Sequence, residues 1–568
     1  MRIKEKKMNL VLIQKHLGRI PNSTEKLFLQ HFWKSYQNQI CFNLEISQSE
    51  FQPHDGSNLV LIAQGKSDPR KIVAKHVIHA LNGQAIAKVT KGNDAFILGY
   101  SESLPKYAPG NNLCVYFISG SKIKQSTREL HQNEWLDGAI PVHKGGLGFT
   151  LYQLLNRYRC GIEIEWKHKD EIKILSKVGA HGLLILIKRG GVDQFQSLLK
   201  KTKVDYIDMG HLTSDSKWEI FIRRKSVLHI PNPVLDILVQ QAQGFEELKM
   251  QTSIPNLPSP KLKSKKSYNR ELIKLVKDHD AVADPYSYLK SMEIQNAVYT
   301  LVKNRVRFGM ALNDNHYINY NDYKMKSIAA IANSARQLAC AGIRPEICSG
   351  FIYLTDVNQN ENGSFLKGIH DAGQILNISI EHLSFTRSRD LPQGEFCTAG
   401  TCLGDEIFPG KFREPDQFIS IVGSHRGELG GSRYLSLLKK EHEGNRPIVD
   451  LIMESRLQEA ILTGIQGKLI QSARAVGRGG IAVSIANSLE INNGLGARIH
   501  FSRRLKPEEL LFGETQGLVL VTVKEADLME FERVCMTIGV PATTIGRVTE
   551  DGNFTFNELI KLPVKKFN

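Results

Sequence analysis

The chain carries the same arrangement of elements twice, and this internal repeat constrains its fold more than any other feature. The glycine pair in residues 145–149 opens a helical pattern, and the glycine pair in residues 479–483 opens another. Four further features follow in the same order in each copy, and matched positions lie 334 to 336 residues apart. This nearly fixed offset indicates the duplication of an α+β unit, with one copy closing each half of the chain.

The four further features have the sequence patterns of strands and helices. A glycine introduces an alternating segment, a continuous apolar run predicts a buried strand, a helical stretch carries one phenylalanine, and a glycine-containing strand precedes a short strand pair. The first copy has them at 161–166, 181–186, Phe195 and 209–213, and the second at 496–501, 516–521, Phe531 and 545–549.

A stretch rich in proline and lysine separates the two halves. Proline fixes φ and removes an amide donor, and clustered lysines resist burial, so residues 251–284 are interpreted as a linker. With 568 residues and roughly 100–200 residues per domain, about three to four domains are expected. The predicted order is a helical segment (1–44), a shortened ATPase-type domain (45–120), a first repeat (121–250), the linker (251–284), a second ATPase-type domain (285–425) and a second repeat (426–568).

Composition narrows the class of protein. No apolar run reaches the ~18 residues that a membrane-spanning helix needs, and the basic N-terminus lacks the apolar stretch of a secretory signal. Eight scattered cysteines without metal-ligand spacing predict reduced thiols in the cytoplasm. The formal charge of +16 comes from lysines spread along the chain without a nucleic-acid-binding motif. The sequence therefore predicts no membrane and argues against a nucleic-acid partner, favouring attraction of anionic metabolites.

Several motifs carry a specific resemblance. They are residues 427–435 (GELGGSRYL), residues 510–516 (LLFGETQ), the glycine pair at 479–480, residues 17–21 with Glu25 and Trp33, and residues 334–345. These motifs, whose order along the chain is that of the family, resemble phosphoribosylformylglycinamidine synthase, the PurL-type enzyme of purine synthesis. The resemblance implies an α+β fold of two PurM-like halves, each with an ATPase-type N-terminal part and an α/β C-terminal part, the first half being truncated.

The resemblance also implies a reaction. The family's small enzymes bind ATP and magnesium and convert formylglycinamide ribonucleotide to the amidine, while separate subunits supply ammonia. No cysteine of this chain lies in a G-x-C-x-G elbow, so a glutaminase and small subunits, or an active synthase, are the implied partners. ATP and Mg²⁺ are the expected cofactors if the chain is active, and none is expected otherwise.

Several positions depart from the family's pattern. Tyr36 stands where the family's N-terminal motif has a catalytic histidine, and a tyrosine with a pKa near ~10 is a poor proton carrier at neutral pH. Asn333 and Gln337 stand where the family has an acidic residue and an asparagine for metal, and neither brings the charge that magnesium sites usually include. Arg478 stands where the family has an anion, and its positive charge would repel a metal ion and attract a phosphate.

Other positions keep the pattern. Glu514 is the remaining candidate carboxylate for metal, with a surface or capping role as the alternative. Candidates for contact with a phosphate or nucleotide are backbone amides and one cation, although glycine pairs more often serve tight packing. These candidates are Gly430, Gly431, Ser432, Arg478, Gly479 and Gly480.

Two functions of different classes remain. The first is a phosphoribosylformylglycinamidine synthase-like protein, performing the ATP-dependent amidation of formylglycinamide ribonucleotide, with activity reduced or absent because metal and catalytic positions are substituted. The alternative is a non-catalytic nucleotide-binding or scaffold partner of an active synthase. Because a fold does not fix a function, the sequence leaves both open.

Overall fold

The structure is a computed structural model of the chain, and it describes most of the residues. The described ranges are 10–38, 59–64, 84–91, 94–100, 113–119, 129–130, 133, 135–142, 146–158, 160–176, 182–243, 260–277, 287–288, 293–295, 298–303, 306–314, 322–355, 359–380, 383–388, 392–404, 407–440, 443–489 and 493–567. The chain forms two compact units, Met1–Ile86 with Ile97–Met250 and Ala87–Phe96 with Gln251–Asn568. No helix in the described ranges is long and apolar enough to cross a membrane.

The first unit begins with two helices and ends with a seven-stranded sheet and its helices. Its helices are α1 (Leu10–Leu17), α2 (Ser23–Asn38), α3 (Gly146–Tyr158), α4 (Val192–Thr202) and α5 (Asn232–Gln243). Three strands precede the seven-stranded sheet in the chain: β1 (Leu59–Gln64), β2 (Gln84–Lys91) and β3 (Asp94–Tyr100). The strands of the sheet are β4 (Leu113–Ser119), β5 (Leu136–Pro141), β6 (Gly161–Trp166), β7 (Gly182–Lys188), β8 (Asp205–Thr213), β9 (Lys217–Ile222) and β10 (Lys225–Pro231).

The second unit contains two further sheets of this size. Its helices are α6 (Asn269–Lys277), α7 (Tyr323–Cys340), α8 (Gln359–Leu376), α9 (Arg433–Leu437), α10 (Leu451–Gln466), α11 (Gly480–Ser488), α12 (Pro507–Phe512) and α13 (Leu528–Ile538). The strands of its N-terminal part are β11 (Ser287–Tyr288), β12 (Glu293–Gln295), β13 (Val298–Lys303), β14 (Val306–Asp314), β15 (Ile343–Thr355), β16 (Ser379–Ile380), β17 (Ser384–Ser388) and β18 (Gln393–Cys402). Those of its C-terminal part are β19 (Phe418–Val422), β20 (Ile470–Ala475), β21 (Gly496–Ile499), β22 (Val519–Val523), β23 (Ala542–Thr549), β24 (Asn553–Phe556) and β25 (Ile560–Pro563).

The predicted duplication is confirmed strand by strand. The sheet of the first unit has the order β10-β9-β6-β8-β4-β7-β5, and the C-terminal sheet of the second unit has the matching order β25-β24-β21-β23-β19-β22-β20. In both sheets the pair β6–β9 or its equivalent β21–β24 is parallel, while the other neighbours are antiparallel. The two halves therefore share an α+β topology, as predicted.

The continuous apolar runs place one strand of each sheet in the core on both faces. In β7, Leu184 and Leu186 pack into one buried cluster, and Leu183 and Ile185 pack into another. In β22 the apolar residues divide between two clusters in the same alternating way. A strand covered on both faces needs apolar residues at every position, which is why these segments lack a polar alternation.

The N-terminal part of the second unit is a sheet covered by long helices. Its strand order is β12-β13-β14-β18-β15-β16, with β17 paired to β15. Helix α7 begins at the N-cap Asp322, whose side chain accepts from the Met325 amide at 3.1 Å. It is followed by Ala341 and by Gly342 at φ +74°, the left-handed conformation in which a helix commonly ends.

The segment interpreted as a linker is, in its described part, packed against the C-terminal part of the second unit. Residues 251–259 and 278–284 lie outside the described ranges. Tyr268 is fully buried and donates a hydrogen bond to the buried carboxylate of Glu508, and Leu272 and Leu275 of α6 join the same core. The lysine run of residues 261–266 lies at the surface, and the amphipathic helix α6 that follows it packs into the core. The finer domain boundaries stay a prediction.

Candidate functional site

The glycine turns that the sequence singled out lie together in the C-terminal part of the second unit. Glu514 connects them, because its Oε1 accepts a hydrogen bond from the Gly479 amide at 2.7 Å and from the Arg433 amide at 2.8 Å. Arg433 is the first residue of α9, and Gly479 is the N-cap of α11. One carboxylate therefore satisfies an orphan amide of a helix N-terminus and fixes a second helix start against it.

The surroundings of Glu514 are buried and cationic. The residue is only 6% exposed, and burial raises the pKa of its carboxyl group above the ordinary value. The two backbone amides and the nearby charges of Arg478 and Arg433 act in the opposite direction by stabilising the carboxylate. Glu514 thus resembles a bound anion held by amides and guanidinium groups.

The residues around Glu514 are tied to the glycine turn at residues 426–432. The Glu514 amide donates to the Glu428 carbonyl at 2.8 Å, and the Thr515 hydroxyl donates to the Glu428 carboxylate. The same hydroxyl accepts from the amides of Arg426 and Gly427, each at 3.1 Å. These hydrogen bonds fix residues 514–515 against residues 426–428.

The candidate phosphate-contacting amides make hydrogen bonds within the domain. The Gly430 amide donates to the Asn445 carbonyl, the Ser432 amide to the Leu429 carbonyl and the Gly480 amide to the Gly477 carbonyl, at 2.8 to 3.1 Å. The Ser432 hydroxyl caps α9 by accepting from the Leu435 amide at 3.3 Å. Together with the Gly479–Glu514 bond, these contacts mean that a phosphate would have to displace existing partners. Gly431 has φ +73°.

Tight packing accounts for the glycines at two of these positions. A Cβ added at Gly480 would lie 2.7 Å from the Phe512 carbonyl carbon, and the backbone there has φ +70°. A Cβ at Gly430 would lie 2.3 Å from the Gly444 carbonyl oxygen. Both positions therefore need glycine whether or not a ligand binds.

The candidate amide ligands for metal pair with each other. The two residues lie one turn apart on α7, and Gln337 donates from Nε2 to Asn333 Oδ1 at 3.3 Å. The buried Oε1 of Gln337 has no hydrogen-bond partner in the described part of the chain. Glu514 belongs to the separate hydrogen-bond set of the glycine turns. Among the described residues, no group of three or more His, Cys, Asp or Glu could hold a metal ion. The three candidates therefore do not fit a magnesium site by themselves.

The remaining candidates are placed only in part. Tyr36 belongs to α2, and its side chain lies outside what the structure describes. Arg478 lies between β20 and α11, half-buried and close enough to Glu514 to act on its charge. Arg474, four residues before Arg478, donates from Nε to the Gly410 carbonyl at 3.1 Å and to the Ser488 hydroxyl at 2.9 Å.

A buried ion pair next to these turns has no strong signal in the sequence. Arg336 on α7 and Glu454 on α10 are both fully buried, and Nη2 and Nε of the arginine donate to the carboxylate at 2.8 to 3.2 Å. Gln458 donates to the same carboxylate at 3.0 Å. A Cβ at Gly517 would lie 3.4 Å from Glu454 Oε2, which places residue 517 over the pair. The pair thus joins the N-terminal part of the second unit to its C-terminal part.

His425 is a buried histidine of the second unit. Its Nε2 donates to the carbonyls of Leu510 and Glu509 at 3.1 and 3.2 Å, and its Nδ1 has no partner in the described part of the chain. Burial lowers the pKa of this imidazole to about 4, aided by the charge of Arg503 and opposed by the two carbonyls and Glu428.

We expect the second unit to lose stability as the pH falls from 7 to 5. The unfolded chain binds a proton on His425 near pH 6.5 while the folded chain does not. The free energy of unfolding therefore decreases by about 2 kcal/mol over this range. Calorimetric unfolding of the wild type and of His425→Gln, which keeps an N–H donor, measures this dependence. Equal pH dependence in both proteins would contradict the assignment.

Comparisons with known proteins agree with this architecture. Residues 414–557 match the family described as AIR synthase related protein, C-terminal domain. Phosphoribosylformylglycinamidine synthase subunit PurL of Alkaliphilus metalliredigens (strain QYMF) is 24% identical over 411 residues, 66% of this chain and 54% of that protein. The chain thus spans about half the length of this curated relative.

Two solved structures share the fold over nearly the whole chain. Thermotoga maritima PurL complexed with AMPPCP and the PurLQS structure from Thermotoga maritima each give a TM-score of 0.51 at 11% identity, covering 95% of this chain and 99% of theirs. At this identity the likeness concerns the fold alone. Residues 414–557 thus match the AIR synthase related C-terminal domain, and the chain is similar in sequence to a PurL-type phosphoribosylformylglycinamidine synthase subunit and shares the PurL fold.

Proposed function

We propose that this chain is a phosphoribosylformylglycinamidine synthase-like protein of purine biosynthesis whose amidation of formylglycinamide ribonucleotide is reduced or absent. The relationship to PurL supports the pathway and the ligand class. The state of Glu514 supports the reduced activity, because this candidate metal carboxylate is buried, accepts from two backbone amides and is stabilised by the charges of Arg433 and Arg478.

The chemistry of the reaction explains why this state of Glu514 matters. Transfer of a phosphoryl group from ATP to an amide oxygen requires magnesium ions held by several carboxylates at once. Both amide hydrogen bonds reach Glu514 Oε1, so a metal bound at that oxygen would compete with two buried donors, and leaving a buried donor unsatisfied costs about 1–3 kcal/mol. Glu514 is therefore better suited to bracing the two glycine turns than to metal binding.

The cations favour a second candidate function. Arg433 and Arg478 bring two positive charges to the starts of α9 and α11. Because Glu514 already accepts from the Arg433 and Gly479 amides, it is the charge of the two arginines that suits a phosphorylated ligand, even where no phosphoryl transfer follows. The alternative proposal is thus a non-catalytic nucleotide-binding or scaffold partner of an active synthase, with the glutaminase and small subunits of the pathway as its associates.

Ligand-dependent unfolding and turnover together test these proposals. We expect formylglycinamide ribonucleotide, ATP with Mg²⁺, or both to stabilise the full chain by roughly 2.7 kcal/mol at ~100 times the dissociation constant. With ammonium as the nitrogen source, turnover should lie well below that of an active PurL-type synthase assayed in parallel. Turnover equal to that enzyme would contradict the reduced activity. Absence of any ligand shift would contradict ligand binding and favour the scaffold.

A further inference from the structure

The lysine-rich segment before α6 is held on the surface of the second unit by specific contacts. The Lys265 amide donates to the Tyr268 hydroxyl at 3.0 Å, and the Tyr268 amide donates to the Leu559 carbonyl at 2.9 Å. Asn269 exchanges two hydrogen bonds, each 3.0 Å, with the backbone of Lys561. The lysines of this segment therefore project from a fixed backbone.

Cations of this segment and of α6 are exposed on the surface of the second unit. Lys261, Lys263 and Lys266 are exposed while Tyr268 between them and the helix is buried. On α6, Arg270, Lys274 and Lys277 are exposed at spacings of four and three residues, which places them on one face of the helix. The opposite face carries the buried Leu272 and Leu275.

Two other parts of the chain add cations next to them. Lys440 reaches the Lys261 carbonyl with its Nζ at 3.4 Å, and its neighbour Lys439 is exposed. The short C-terminal helix Val564–Phe567 packs against α6 and exposes Lys565 and Lys566. We call the exposed cations of residues 261–277, 439 and 565–566 the basic surface.

Most of these charges are not neutralised within the described part of the molecule. Lys265 pairs with Glu271 at 2.6 Å, Lys561 with Glu558 at 2.6 Å and Lys440 with Glu443 at 3.2 Å. The members of the basic surface other than Lys265 form no ion pair there. Like charges on one face raise the local potential and gather counter-ions, whose release favours the binding of a polyanion.

We propose that the basic surface binds the phosphate backbone of a nucleic acid without reading its sequence. The surface consists almost entirely of lysines, which contact phosphates as point charges. Its aromatic residues, Tyr268 and Phe567, are buried, so it offers no exposed ring for stacking on bases. The neighbouring apolar side chain that is exposed, Leu437, is only 36% exposed, which gives little anchor for a protein interface. The sequence argued against this partner because it shows no nucleic-acid-binding motif, and the fold adds Lys439, Lys565 and Lys566 to the cations of residues 261–277.

The test is binding of the full chain to a duplex DNA of arbitrary sequence over a range of salt concentrations. We expect measurable binding at ~50 mM salt and a fall of about two to three orders of magnitude by ~200 mM if about five phosphates are contacted. Substituting Lys263, Lys266, Lys274 and Lys565 by Gln should weaken binding at least about tenfold and make the log–log salt slope shallower by about 2, because this set would carry about half of the phosphate contacts. Absence of binding at ~50 mM salt would overturn the proposal.

Two further variants distinguish the effect of the basic surface on binding from the effect of the net charge of the chain. A second set on the same surface, Lys261→Gln, Arg270→Gln, Lys277→Gln and Lys566→Gln, should weaken binding by a similar factor and guards against misfolding of the first set. The matched control removes four exposed lysines of the first unit, Lys15, Lys26, Lys200 and Lys225, and should bind like the wild type.

An equal loss of affinity in the control would overturn the proposal, because net charge alone would then explain the binding. A polyglutamate of equal charge provides the comparison with an acidic protein segment. Tighter binding of polyglutamate than of the duplex would also overturn the proposal, in favour of an acidic protein partner.

Discussion

Replacing Arg336 by Met should destabilise the second unit by about 3–5 kcal/mol, because it leaves the fully buried carboxylate of Glu454 without its counter-charge. The loss should appear as a large decrease in the temperature of the calorimetric transition of the full chain. Glu454→Ala should have an effect of the same order, since Arg336 would then be the uncompensated buried charge.

The same two parts of the fold offer a matched control. Arg344, at the start of β15, pairs with Glu459 of α10 at 3.2 Å, and these side chains are 41% and 50% exposed. Because water screens this pair, Arg344→Met should cost no more than about 1 kcal/mol. The double variant Arg336→Met with Glu454→Gln removes both buried charges, keeps an oxygen for Gln458 and should recover most of the loss. If Arg336→Met costs no more than Arg344→Met, the buried pair does not hold these elements together.

Replacing Glu514 by Ala should destabilise the second unit by about 2–4 kcal/mol, because the buried amides of Gly479 and Arg433 would lose their acceptor. Glu514→Gln keeps a side-chain oxygen and should cost clearly less, at about 1 kcal/mol. Chemical denaturation of the full chain, followed by the transition of the second unit, measures both differences.

This pair of variants also separates the brace from a metal ligand. If Glu514 acts as a brace, any stabilisation of the chain by ATP with Mg²⁺ should persist in Glu514→Gln. If Glu514 held magnesium, Glu514→Gln would abolish that stabilisation while leaving the ligand-free protein at least as stable as the wild type. The second result would contradict the account of Glu514 given above and favour an active synthase.

The architecture could be predicted because its signals are local or strictly repeated. The buried strands β7 and β22 are continuous apolar runs, and the glycine pairs mark helix starts at a nearly constant offset. Helix α7 ends where its glycine allows the left-handed conformation. None of these signals depends on knowing which distant residues meet.

The roles of individual side chains could not be predicted in the same way. The sequence left Glu514 open between a metal ligand and a surface or capping carboxylate, and its partners in the structure are amides 35 and 81 residues away. Asn333 and Gln337 were candidate ligands too, and in the structure the Gln337 side chain donates a hydrogen bond to the Asn333 side chain. A sequence pattern gives the type of a residue but not the donors that surround it after folding.

The sequence by itself determined the duplicated α+β architecture and its helix starts, because these follow from periodicity, glycine placement and repeat spacing. Its motifs carried the resemblance to PurL-type proteins. Only the tertiary structure decided that Glu514 braces two turns, that Arg336 meets Glu454 across 118 residues, and that separate lysines share one surface. Burial and hydrogen bonding between distant segments create these features, and both arise only when the chain is folded.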